Sequence, residues 1–183
     1  PSVSFAGFDP AEVRRSAEAT AELMRARGFE NVQLLEVEGA HPYVFGELLK
    51  APGKPTLLLY AHHDVQPPGD SALWETDPFT ATLKGDRLFG RGVSDDKSGI
   101  ITHLYAIRAL QSLAQEIDLG ISVFIEGEEE VGSPSLAGFL EKHYEKLACD
   151  FIVVSDTNMA GVDMPGITTG LRGLAYWEIE VKG

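Results

Sequence analysis

Three short apolar runs most constrain what this chain can fold into: Thr56-Leu57-Leu58-Leu59-Tyr60-Ala61, Ile121-Ser122-Val123-Phe124-Ile125 and Phe151-Ile152-Val153-Val154. Each reads as a strand, and the near-continuous apolar character of Thr56–Ala61 is the pattern of one covered on both faces. Helical patterns separate the runs. Ile100, Ile101, Leu104, Ile107, Leu110 and Leu113 form a stripe at helical spacing that continues to about Gln115. Ser133-Pro134 opens a second helix carrying Leu136, Phe139, Leu140, Tyr144 and Leu147. Strands alternating with helices from residue 56 to residue 154 predict an α/β fold, a mostly parallel sheet with helices on both faces.

The flanks add smaller elements. Asp9-Pro10-Ala11-Glu12 supplies a cap, a proline at the first helical position and a glutamate three residues after the cap, and Gly28 stops that helix after Arg27. Val32–Val37 and Tyr43–Leu49 read as a hairpin around Gly39, and Ala81–Leu83 with Arg87–Phe89 as another across Gly85. The loop from Val65 to Pro78 is rich in Pro, Gly and Asp, and loops of that length are commonly functional. Leu174–Val181 alternates as a strand would.

Composition excludes several classes. With 15 Lys and Arg against 28 Asp and Glu, the net charge is −13, which argues against nucleic acid and against an anionic membrane surface. The single cysteine, Cys149, rules out an internal disulfide and a thiolate zinc site, and reads as a small buried residue. No apolar run approaches the roughly 20 residues of a membrane span, and no secretory signal is visible, so the expected location is cytoplasmic.

Sites in open α/β sheets form beyond the carboxyl ends of the strands. Here His62-His63-Asp64, Glu126-Gly127-Glu128-Glu129-Glu130 and Ser155-Asp156 follow the three runs. The glycine turn Gly90-Arg91-Gly92 then delivers Asp95 and Asp96 to a helix start in the same layer. Each piece has an ordinary reading: a polar histidine, a solvated acidic face, a turn, or a helix cap supplied by Ser94 or Asp95. Four such ends meeting at one rim are harder to explain by caps, because carboxylates packed together repel unless a cation neutralises them. Imidazole with carboxylates and no thiolate suits zinc, or manganese or cobalt. On an extended backbone Glu129 and Glu130 would point apart, one to bind metal and the other to face a metal-bound water as general base. Asp64 would accept the second ring N–H of a metal-bound His62, and His63 would point away.

The stretches His62-His63-Asp64-Val65-Gln66-Pro67, Trp74-Glu75-Thr76-Asp77-Pro78-Phe79, Leu88 to Lys97, and Glu126 to Ser133 resemble the M-twenty family of zinc metallopeptidases. That family includes aminoacylase, glutamate carboxypeptidase, succinyl-diaminopimelate desuccinylase and carnosinase. The Asp-Val-Gln-Pro and Trp-x-x-Asp-Pro-Phe pieces are most similar to its carnosinase and dipeptidase branch. The resemblance spans residues 56 to 173, in the family's order. It implies that His62 binds a first metal with Asp156, Asp95 bridges two metals across a cis peptide to Asp96, Glu130 binds the second, Glu129 is the general base and Asp64 orients His62. It implies two Zn2+ per active site, with Mn2+ or Co2+ as alternatives. The substrate would be a dipeptide or N-acyl amino acid, and the full-length protein a homodimer. Residues 1–165 would be the N-terminal portion of the catalytic domain. Residues 166–183, entered through Gly170-Leu171-Arg172-Gly173, would start the lid and dimerisation domain. Ala61 and Ser98 stand where the family has glycine. The family's further histidine for the second metal and its lid groups have no counterpart here, so the chain reads as part of a longer enzyme, nearly inactive alone.

Two other readings stay open at this level. A two-metal phosphoesterase would need cationic groups for phosphate, and Arg91, Lys97 and Arg172 are the candidates. A non-catalytic metal-binding or assembly domain would keep the fold without the reaction.

Overall fold

The computed structural model describes residues 1–48, 51–113 and 117–183. Helix α1 (Pro10–Ala26) starts where the Asp9 carboxylate accepts from the Ala11 N–H, with Pro10 at its first position. It leads into a hairpin of β1 (Glu30–Leu35) and β2 (Tyr43–Leu48). Strand β3 (Thr56–His62) precedes a small separate hairpin, β4 (Thr82–Lys84) and β5 (Arg87–Phe89). Then come α2 (Lys97–Ser112), β6 (Gly120–Glu126), α3 (Leu136–Leu147) and β7 (Phe151–Val154).

The main sheet has five strands in the order β1-β2-β6-β3-β7. The three apolar runs form its parallel half, β6-β3-β7, and the first hairpin extends it antiparallel through β2. Because side chains alternate along a strand, the sheet has two cores. On one face Leu59, Ala61, Val123 and Ile125 pack against Ala17, Ala21 and Met24 of α1 and Ile100, Leu104 and Ile107 of α2. On the other, Tyr43, Phe45, Leu58 and Phe124 pack against Phe139 and Leu147 of α3. The runs of β3 and β6 are thus helix-covered on both faces, whereas that of β7, at the sheet edge, stays exposed.

Several local expectations differ from the structure. Neither Ser94 nor Asp95 caps α2; the Asp96 carboxylate does, accepting from the Gly99 N–H at 3.2 Å, and the Asp95–Asp96 peptide is cis. Helix α3 begins after Ser135 rather than at Ser133, which has φ +53°. Cys149 is half-buried, packed beside the α3 core. Residues 174–181 form no strand, because a strand needs a neighbour to share its backbone hydrogen bonds and the described residues offer none there. Leu49 and Gln115, the expected ends of a strand and a helix, lie outside the described residues.

Candidate metal centre

The strand register brings the site together. His62 ends β3 directly beside Glu126, which ends β6. The His63 N–H donates to the Glu126 carbonyl at 2.8 Å, so the two strand exits leave the sheet locked to each other. Beyond Glu126 the backbone is not extended. Glu129–Val131 is a single 3₁₀ turn closed by Gly132 in the left-handed region, so Glu129 and Glu130 both face the rim instead of pointing apart. Gly127 makes this turn close-fitting, since a Cβ there would sit 2.6 Å from the Pro42 carbonyl oxygen and 2.9 Å from His63 Nε2.

His62, fully buried, is the corner of the site. Its Nε2 lies 2.9 Å from Asp95 Oδ1, and 3.8 Å from both Glu129 Oε2 and Asp156 Oδ2. Two sets of donor atoms lie within 4.8 Å of one another: His62, Asp95 and Glu130, and His62, Glu129 and Asp156. The expected site residues His62, Asp95, Glu129, Glu130 and Asp156 therefore converge at one rim. His63 turns away, its Nε2 on the Pro42 carbonyl at 2.9 Å, and burial pulls its pKa down to about 4.

Asp64 holds the corner from beneath. Its Oδ1 lies 3.3 Å from His62 Nδ1, and its carboxylate accepts the Ser4 hydroxyl at 2.6 Å and the backbone N–H groups of Glu129 at 3.3 Å and Glu130 at 3.1 Å. His62 Nδ1 also bonds the Asp64 backbone carbonyl at 3.1 Å, so one buried residue, through its carbonyl and its carboxylate, fixes the histidine and the glutamate turn together. Burial disfavours its ionised form, but the bonds from His62 and Ser4 outweigh that and hold its pKa below the usual range. His62 shows the converse: burial lowers its pKa, but Asp64 and then Glu129 and Asp96 lift it to about 10.

The remaining acids strain against each other. Burial raises Glu129, with Glu130, Asp156 and Asp64 adding to it while His62 opposes. Burial also raises Glu130, opposed by its bond from Gln66 and reinforced by Asp95. Asp96 is pushed up to about 6, again chiefly by burial. An N,O donor set with excess negative charge and no thiolate fits a divalent cation of the zinc, manganese or cobalt kind.

The residues that support this shell were not expected to do so: Gln66 and Glu128 carried no role of their own, and Lys97 was a candidate for binding phosphate. Gln66 binds Glu130 through its backbone and its amide. The Lys97 ammonium lies beneath the site and donates to the His63 carbonyl at 2.6 Å and to the Ser16 and Ser2 hydroxyls at 2.9 and 3.0 Å. The Glu128 carboxylate accepts from the His41 N–H at 2.9 Å. Gln66 and Lys97 stand inside the motifs, but nothing in residue type distinguishes a supporting amide from a solvated one.

A family profile described as Peptidase family M20/M25/M40 matches residues 58–182, more than half of the chain. The chain belongs to this peptidase family. Among its M20 relatives, the Cys-Gly metallodipeptidase dug1 of Schizosaccharomyces pombe is 40% identical over 148 residues, covering 78% of this chain and 30% of the relative. The human Beta-Ala-His dipeptidase is 37% identical, covering 77% of this chain and 28% of the relative. In three dimensions the chain is similar to the di-peptidase Dug1p of Saccharomyces cerevisiae, with a TM-score of 0.77 at 26% identity over 88% of this chain and 36% of that one. The chain therefore spans about three tenths of the length of the curated relatives it matches.

Proposed function

We propose that this chain is the N-terminal part of a metal-dependent dipeptidase that hydrolyses an amide bond in a dipeptide or N-acyl amino acid. One observation supports the reading: in two sets that share His62, one with Asp95 and Glu130 and one with Glu129 and Asp156, donor atoms from residues far apart in sequence lie within 4.8 Å of one another. The kinship with metallodipeptidases supports it.

His62 and Asp156 would hold one cation and Glu130 a second, with Asp95 between the two. We favour two zinc ions, with manganese or cobalt able to fill the same donor set. When bound, such cations polarise a carbonyl and make a coordinated water acidic enough to attack it near neutral pH. The protein's own groups do the rest. Asp64 keeps the His62 ring turned so that Nε2 faces the site. Glu129 takes a proton from the attacking water and returns it to the leaving amine. Proton transfer of this kind contributes about 10²–10⁴-fold.

Two of the three candidate phosphate-binding cations are otherwise engaged, which speaks against phosphoester hydrolysis. Lys97 is occupied by Ser2, Ser16 and the His63 carbonyl, while Arg91 donates to the Pro67 carbonyl and lies over the Trp74 ring.

The test is Glu129→Gln in the full-length protein. Turnover of dipeptides should fall about 10²–10⁴-fold while bound metal, measured by elemental analysis, stays at the parent level. Full turnover in the variant, or metal lost together with turnover, would remove Glu129 as general base.

A further inference from the structure

Gln66 touches Glu130 at three points. Its backbone N–H donates to Oε1 at 3.2 Å, its amide nitrogen to Oε2 at 2.7 Å, and the same nitrogen to the Glu130 carbonyl at 3.3 Å. All three partners are acceptors, so the amide nitrogen rather than the amide oxygen must face Glu130. The anchor is firm: the preceding residue, Val65, is buried, bridges Val3, and donates its N–H to the Ser2 carbonyl at 3.0 Å. From the other side the Glu130 N–H is held by Asp64.

Each carboxylate oxygen has two lone-pair directions. Gln66 fills one on each oxygen and so fixes the plane in which the free pair points. It does this with neutral donors, adding no cation to compete with a metal and no acid to repel Glu130. Without such a clamp a partly exposed glutamate would sample several rotamers, and ordering it would weaken binding.

We infer that Gln66 is a positioning residue: its two-point clamp on the Glu130 carboxylate sets the metal affinity of the half of the site that Glu130 completes. This rests on the reading above that Glu130 is a metal ligand. Outer partners of this kind typically govern metal affinity by 10–100-fold.

The experiment is a double-mutant cycle in the full-length protein, stripped by chelation and titrated calorimetrically with Zn2+ or Mn2+. Gln66→Met keeps volume but removes the amide; Gln66→Asn keeps an amide but withdraws it from reach, and serves if the first variant folds poorly. Either should weaken binding 10–100-fold while the thermal midpoint of the metal-free protein stays at the parent value. In a Glu130→Gln background the same changes should add nothing. Parent-like affinity in both Gln66 variants would overturn the inference. So would an undiminished loss in the Glu130→Gln background, which would mean that Gln66 acts through the loop and not through Glu130. If Glu130→Gln alone binds metal like the parent, Glu130 is no ligand, and the metal-site reading falls together with the inference.

Discussion

Asp64 joins the two halves of the site: its carbonyl bonds the His62 ring at 3.1 Å, and its carboxylate lies 3.3 Å from that ring while accepting from the backbone of the Glu129–Glu130 turn. Asp64→Asn keeps its shape but replaces one acceptor oxygen by a donor facing N–H groups. Metal affinity should drop about 10–100-fold, read by competition with a chelating dye. The pH dependence follows from His62. In the metal-free protein its ring stays protonated up to a pKa of about 10. A metal must therefore displace a proton below that pH, so affinity should climb as pH rises, by up to about tenfold per unit for one proton released. Calorimetry in buffers of different ionisation enthalpy counts that proton; affinity independent of pH between 6 and 9 would contradict the His62 assignment.

Among the elements, the turn after β6 and the packing of α3 decide whether the rim keeps its shape. Gly127→Ala would drive a Cβ into the Pro42 backbone carbonyl and His63, neither of which can swing aside. Overpacking of this kind costs about 1–3 kcal/mol, and the displaced turn should reduce activity more than stability, as parallel unfolding and rate measurements would show. Phe139, fully buried, stacks on Tyr43 at 4.1 Å and Phe124 at 5.2 Å between centroids. Phe139→Ala should lower unfolding stability by about 3–5 kcal/mol in denaturant titration. The parallel core and the exits that carry His62, Glu130 and Asp156 were legible in sequence, because apolar runs announce covered strands and chemistry follows strand ends. The 3₁₀ turn at Glu129 and the capping role of Asp96 were not. Both depend on contacts with Asp64, Pro42 and His62, which are distant in sequence. Nor was the fate of 174–181: alternation marks a strand's faces but cannot supply its partner.

At the scale of the whole molecule, β7 is an edge strand with Phe151 64% and Ile152 62% exposed, and the apolar residues Leu171, Leu174, Tyr176 and Trp177 beyond it are exposed as well. Apolar surface of that extent marks a place where further protein packs, consistent with a chain that spans about three tenths of its matched relatives. Dipeptide hydrolysis by residues 1–183 alone should accordingly be far slower than by the full-length protein under the same conditions; equal rates would show that the site is complete here. Metal-edge anomalous scattering from crystals of the full-length protein grown with zinc would locate the cations themselves. A peak is expected about 2.0–2.2 Å from His62 Nε2 and from Asp95 and Asp156 oxygens, with a neighbouring peak against Asp95 and Glu130. Zinc bound elsewhere, with His62, Asp95, Glu130 and Asp156 bare, would contradict their assignment as metal ligands.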